Sequence, residues 1–363
     1  MLRKIAPVNK VTKNKLELIQ VLRAFAALLV VMNHYPGRLQ AFASGYIGVD
    51  LFFVISGVIM VITTNSTDTS GRYAVDFMIK RFSRICPYYA IMTFIALLLT
   101  YNIHEHQALD TLTLFFKSIL LVPLWGEQPI LEPGWTLTFE MYFYFVFFIS
   151  LFFNKYRWVF VFSFFLLALT VFDKIDAYNH AKDIALVGDY LKMFSTGIVW
   201  CFIMGVVVGL LYNKKLILNK KSTITITAIS LALLLYNYFS STPQHGPLFG
   251  LLFSMLVYGV ICIESNFQFK IPRFLVFIGD ISFSLYLTQF ITIFLMERYL
   301  LSLFSGEIQR YIMVIPFISV NIIVAYFAYK KLELPIDKTC KNALRKIIFG
   351  NNVTSSRESN VKV

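Results

Sequence analysis

The sequence predicts an all-α, polytopic integral membrane protein, and three observations carry the prediction. Of 363 residues, 58% are apolar and 17% aromatic, while only 15% are charged, against about 25% in soluble domains. Mean hydropathy is +0.68. Apolar runs of about 20 residues, the length of a bilayer-crossing helix, recur along the chain. A soluble two-domain enzyme, the expectation from length alone, is excluded because so much apolar surface would have nowhere to be buried. With 17 Gly, 11 Pro and 4 Cys, the composition also excludes disorder, collagen and a disulfide framework.

Ten segments read as spans: 16–35, 46–64, 86–101, 134–153, 157–173, 191–212, 222–240, 247–264, 274–296 and 311–329. The first is long and carries Arg23 in its middle, so it reads as a retained helix rather than a cleaved signal, despite the Ala41-Phe42-Ala43 sequence that follows. Leu109 to Trp125 is apolar too, but leads into a Pro-rich run, Pro123 to Gly134. The region 109–133 is therefore expected to be re-entrant or interfacial, since irregular backbone at membrane depth must be buried in protein or line a cavity. Residues 1–15 form a basic leading segment, 16–336 the transmembrane domain, and 337–363 a basic tail expected on anionic lipid.

Net charge is +13. In a membrane protein the basic residues are first of all topology signals, and no nucleic-acid partner is implied. With the N-terminus in the cytoplasm, cytoplasmic segments hold 25 Lys and Arg and the opposite side 7. This bias fixes ten helices with both termini cytoplasmic, and counting 109–125 as a full span would invert every later loop. Cys86, Cys201, Cys262 and Cys340 stand singly, without metal or redox spacing, and read as free thiols. His104-Glu105-His106 has i, i+2 spacing and no further ligand, so it reads as a solvated loop and no metal is expected.

Ionisable residues inside spans cost several kcal/mol and each is a functional hypothesis. Arg23 and His34 are eleven residues apart, which places them on one helix face with about 16 Å between them along the axis. Each also has a bland reading, Arg23 as a structural ion-pair member and His34 as an interfacial cap. Arg81 and Arg84, at i and i+3 before the third span, share a face and could grip phosphate; the alternative is an ordinary basic flank. Glu140 sits about two turns inside the fourth span and needs a partner, for which His34 or Arg38 lies at a similar level. Asp50 opens the second span. Asp280 and Glu333, on the cytoplasmic side, read as partners of arginines. The aromatic run 142–148 reads as lipid-facing and packing surface.

Taken together, these residues resemble the membrane acyltransferase 3 family. Arg23 and His34 match its Arg-x10-His signature, and Phe52-Phe53-Val54-Ile55-Ser56-Gly57 its second-helix motif. Arg81 and Arg84 match its Arg-x-x-Arg, Trp135 to Glu140 its Trp-Ser-Leu-x-x-Glu element, and Glu333-Leu334-Pro335 its Glu-x-Pro. The five motifs run in the expected order from about residue 16 to 336, and the first sixty residues look most like bacterial exopolysaccharide and O-antigen O-acetyltransferases. One departure is Gln289, which stands where many relatives carry a histidine. The C-terminal hydrolase-like domain of some relatives is also missing, which implies a stand-alone transferase.

The resemblance implies a multi-pass protein of the bacterial inner membrane that moves an acyl group, by default acetyl, from cytosolic acyl-CoA to a hydroxyl of a cell-surface or lipid-linked carbohydrate. Acyl-CoA is then a co-substrate, and no cofactor is held permanently. Arg81 and Arg84 are expected to hold its phosphates, and Arg23 to hold the donor or stabilise the oxyanion. His34 is expected as general base, a role that suits an imidazole at neutral pH, oriented by Glu140 or Asp50. Arg38, Trp135 and Tyr144 complete the set as acceptor-binding residues. The competing class is a secondary transporter or flippase with Arg23, His34 and Glu140 along the path. Transporters carry repeats with broken helices in both halves, whereas here the intramembrane charges crowd into the first half.

Overall fold

The computed structural model describes residues 2–4, 16–36, 39–64, 68, 70–100, 108–124, 127–172, 185–240, 245–299 and 306–350. Among them the only strands are β1 (Leu2–Lys4) and β2 (Leu216–Leu218), paired antiparallel with Leu2 opposite Leu218. Everything else of regular structure is helical. Arg38 and the His104-Glu105-His106 run lie outside the described residues.

Helix α1 (Glu17–Asn33) leads to α2 (Gly48–Thr63) and α3 (Gly71–Thr100). The third span was expected to begin at residue 86; charged residues between Arg72 and Arg84 dilute the hydropathy there, yet the helix starts at Gly71 and runs straight through Pro87. Arg81 and Arg84 are therefore not a flank. They stand in mid-helix. Next, α4 (Ala108–Ile119) has 12 residues, about 18 Å at 1.5 Å per residue, too short to span. It leaves Leu109, Leu112 and Phe116 exposed, as expected of an interfacial segment.

Helices α5 (Gly134–Ser150) and α6 (Arg157–Leu167) fall on two expected spans, yet they belong to one apolar helical stretch, Gly134–Val171, in which α6 has only 11 residues. A 3₁₀ stretch joins them, and its Asn154 takes a positive φ of 47°. The expected span 191–212 is broken instead, into α7 (Ala185–Ser195) and α8 (Ile198–Asn213). The break falls at Gly197, where a Cβ would meet the His245 carbonyl at 2.6 Å. Helices α9 (Lys220–Ser240) and α10 (Pro247–Asn266) follow as expected. The segment 274–296 is not one span either: α11 (Arg273–Asp280) and α12 (Ser282–Tyr299) meet at 69°. Just before the bend, at Gly279, α11 lies so close to α1 that a Cβ would collide with the Gln20 backbone. After the short α13 (Glu307–Ile312), α14 (Val314–Ala328) passes through a π turn into α15 (Leu334–Phe349).

By length and hydropathy, six described helical stretches can cross a bilayer, or seven if the bent α11–α12 pair counts as one. The ten-span expectation exceeds this, partly because α1 and α8, at 17 and 16 residues, fall short of a full crossing length. The described surface, as well as the core, nonetheless suits a membrane protein. Helix α9 exposes Ile224, Leu231, Leu235 and Phe239, a face that suits lipid.

Contacts join segments that the charge bias assigns to one side. Residues 2–4 pair with 216–218. Glu264, at the end of α10, accepts the amides of Glu17 at 2.9 Å and Leu18 at 3.3 Å, and so caps α1 from another helix. Arg157 donates to the Thr64 carbonyl at 2.7 Å. The stretch expected as a lipid-bound tail is in part α15, which is tied to α3 by Arg345 donating to Asp76 at 2.7 Å and Ser83 donating to Asp337 at 2.7 Å.

The core is aromatic. Phe143 stacks on Phe202 at 4.0 Å and meets Phe165 and Phe53 edge-on. Most of the 142–148 run is thus packing, with only Phe145 turned outward. Small residues let α2 and α8 touch backbone to backbone: a Cβ at Gly57 or Gly205 would strike the facing main chain. All four cysteines are free.

Candidate active site

A cavity of about 100 Å³ lies between α1, α2, α3, α5 and α12. Five of the residues singled out from the sequence line it: Arg23, Arg81, Arg84, Glu140 and Tyr144. The i, i+3 spacing does bring Arg81 and Arg84 to one face, and Arg23 approaches from α1. Arg81 donates to Thr63 Oγ1 at 2.9 Å and lies over the rings of Phe77 and Tyr144. Arg23 donates weakly to Gln20 at 3.4 Å.

The expected pairing of Glu140 with His34 is not formed. The Glu140 carboxylate accepts from the Tyr144 hydroxyl one turn on, and its charge acts on Arg23, Arg81 and Arg84. The reason is depth: six residues into α5 is about 9 Å below its start, level with the arginines rather than with the helix ends. Glu333 balances Arg23 and Arg84, and its carboxylate accepts from Ser284 at 2.6 Å. Because Ser284 donates there, the Tyr88 hydroxyl at 3.1 Å donates to Ser284. Asp280 also acts on Arg23, so both acids serve arginines, as read from the sequence.

Three guanidiniums, Arg23, Arg81 and Arg84, line the cavity beside one carboxylate, Glu140, while Glu333 and Asp280 act on them from outside its wall. Ser282, the first residue of α12, adds a helix N-terminus to the wall. Among the described residues, Arg81 Nε, Ser56 Oγ and Ser282 Oγ are buried with no hydrogen-bond partner. All three belong to residues of the cavity wall. Donors gathered round a space and left unsatisfied fit an anionic or carbonyl ligand.

His34 stands beyond the outer end of this cavity. Its ring packs on Phe290 at 4.9 Å, one helical turn past Tyr286, which lines the cavity and bonds Thr136 at 2.9 Å. The expected orienting carboxylate is replaced by a backbone group: Nδ1 lies 2.8 Å from the Val30 carbonyl, which also accepts the His34 amide at 3.2 Å. A carbonyl can only accept, so in the neutral ring Nδ1 carries the proton and Nε2 keeps its lone pair. A base or nucleophile needs that tautomer.

Asp50 is spoken for elsewhere. It is fully buried, with one oxygen 3.0 Å from His245 Nδ1 and the other accepting Cys201 Sγ–H at 3.2 Å. Trp135 lies on the same imidazole, 5.9 Å between centroids. The structure thus sorts the expected residues into a cavity group, a lone His34, and an Asp50–His245–Trp135 group.

The family model described as an acyltransferase domain, the acyltransferase 3 type, matches residues 17–330. The chain belongs to this family. As an acyltransferase 3 protein it is an enzyme that transfers acyl groups other than aminoacyl groups. Among curated relatives it is 28% identical over 251 residues to the exopolysaccharide production protein ExoZ of Rhizobium meliloti (strain 1021), covering 68% of this chain and 76% of that one. It is 26% identical over 145 residues to the peptidoglycan O-acetyltransferase OatA of Listeria monocytogenes, covering 35% of this chain and 23% of the relative. No solved structure matches the chain.

Within the acyltransferase 3 domain, sequence reasoning missed His245, Glu333's part in the cavity's charge balance, and Ser282. His245 follows the polar sequence Ser241-Thr242-Pro243-Gln244 and has no spacing relation to His34, so nothing linear marks it. Ser282 gains its place only from the bend before it.

Proposed function

We propose that this acyltransferase takes an acyl group, acetyl by default, from acyl-CoA on the cytoplasmic side of the bacterial inner membrane and passes it to a hydroxyl of a cell-surface or lipid-linked carbohydrate. The observation that carries the reading is the cavity walled by Arg23, Arg81 and Arg84, with His34 beyond its outer end. A space of about 100 Å³ is too small for a whole acyl-CoA, because pockets for drug-sized ligands hold about 300–1,000 Å³. It suits the thin thioester arm or a diphosphate, with the nucleotide left at the cytoplasmic mouth.

In the reaction, the acceptor oxygen bonds to the thioester carbonyl carbon as its proton passes to His34 Nε2. The C–S bond then breaks, and the sulfur leaves as CoA thiolate and takes up that proton. An arginine or the α12 N-terminus stabilises the oxyanion between the two steps. Relatives named for exopolysaccharide production and for peptidoglycan O-acetyl transfer support a carbohydrate acceptor. The transport reading gives way to family membership: the broken α11–α12 pair supplies a cavity wall. CoA release by the purified protein in nanodiscs, supplied with acetyl-CoA and cell-envelope glycan, tests the proposal. Release by the wild type that is lost in His34→Asn is expected, and no release by the wild type overturns it.

A further inference from the structure

His245 belongs to none of the motifs and does not line the arginine cavity, yet its backbone and ring are held more firmly than a loop residue requires. Gly197 accommodates its carbonyl, and Cys201 Sγ reaches the carbonyl of the next residue, Gly246, at 3.9 Å. Asp50 has no exposed surface, and a buried carboxylate must be paired. Nδ1 of His245, at 3.0 Å, therefore donates to it, and Nε2 on the opposite edge of the ring keeps a lone pair. The imidazole side chain is 28% exposed and stands between two aromatic rings, Tyr46 edge-on at 5.6 Å and Trp135 tilted at 5.9 Å. Tyr46 and Trp135 are themselves only half-buried.

Flat aromatic surfaces beside a fixed acceptor nitrogen match a pyranose ring, whose C–H faces lie on aromatics while its hydroxyls donate. The position also suits an acceptor. Trp135 is followed by Thr136, which bonds Tyr286 in the cavity wall, and Gly45, beside Tyr46, packs on the Leu29 backbone and the Asn33 side chain of α1, next to His34. The patch thus lies between His34 and the outer end of the arginine cavity.

We propose that Tyr46, Trp135 and His245, with Asp50 behind the imidazole, form a subsite for a sugar ring on the outer side of the membrane. The ring hydroxyl donates to His245 Nε2, and Asp50 is the positioning residue that fixes the tautomer. Only the statement that this ring is the acyl acceptor rests on the function proposed above.

The test uses the full chain in nanodiscs and saturation-transfer NMR with methyl gluco-, galacto- and mannopyranoside at millimolar concentration, with empty nanodiscs as blank. Saturation of ring protons is expected with the wild type for at least one glycoside. His245→Asn keeps an amide donor to Asp50 but loses the Nε2 lone pair, and binding should weaken roughly tenfold, the worth of one hydrogen bond. Trp135→Ala should weaken it by about as much or more. Should His245→Asn fail to fold, Tyr46→Leu carries the same expectation. Absence of saturation with all three glycosides in the wild type overturns the subsite, as does unchanged binding in the folded variants. CoA release from the same wild-type sample separates the two ideas. Release without sugar binding defeats the subsite alone, and sugar binding without release defeats acyl transfer alone.

Discussion

Replacing His34 by asparagine separates the two nitrogens of the ring. An asparagine amide reaches about as far as Nδ1, so it can keep the 2.8 Å bond to the Val30 carbonyl, a bond worth about 1 kcal/mol net. The turn at the end of α1 should hold, and the melting midpoint in nanodiscs should stay close to that of the wild type. What is lost is Nε2. General-base catalysis contributes about 10²–10⁴ in rate, which corresponds to roughly 3–5 kcal/mol of barrier. CoA release from acetyl-CoA in the presence of cell-envelope glycan should fall by that factor. His34→Ala should be no more active and less stable, since it forfeits the Val30 bond as well. A His34→Asn protein that folds and keeps more than about a tenth of wild-type turnover would show that Nε2 is not the base.

Arg84→Lys keeps a positive charge opposite Glu333 but gives up the forked geometry, so the requirement for acetyl-CoA should rise about tenfold with folding intact; an unchanged KM for acetyl-CoA would count against a donor role for the cavity. Gly205→Ala places a methyl against the Val54 backbone, with the carbonyl carbon only 2.8 Å away, and overpacking of this kind costs about 1–3 kcal/mol. A lowered melting midpoint is expected, whereas Gly71→Ala, whose nearest neighbour would be a Phe152 atom at 3.8 Å, should melt like the wild type.

Much of the fold was legible because hydropathy reports burial in lipid directly. Where it misled, the cause was local. Residues 71–85 carry charges that hide a helix, and the breaks near Gly197 and Gly279 lie in apolar runs that hydropathy reads as continuous. For the site, helical periodicity placed Arg81 and Arg84 together, and depth counting placed Arg23 well below His34. Partnerships across helices were not legible in the same way. The sequence cannot say that Asp50 turns to a histidine 195 positions later, or that His34 is oriented by the carbonyl four residues before it. Such pairings depend on how α2, α8 and α10 meet, which no single segment records.

Sidedness tests the proposed chemistry most directly. Proteoliposomes with the protein in one known orientation would receive radiolabelled acetyl-CoA on one face and cell-envelope glycan on the other, in both arrangements. Labelled glycan should form only when acetyl-CoA is on the face bearing residues 2–4, 216–218 and the α15 helix. Equal labelling from either face, or labelling only with donor and acceptor on the same face, would contradict a donor entering through the arginine cavity and an acceptor meeting it at His34.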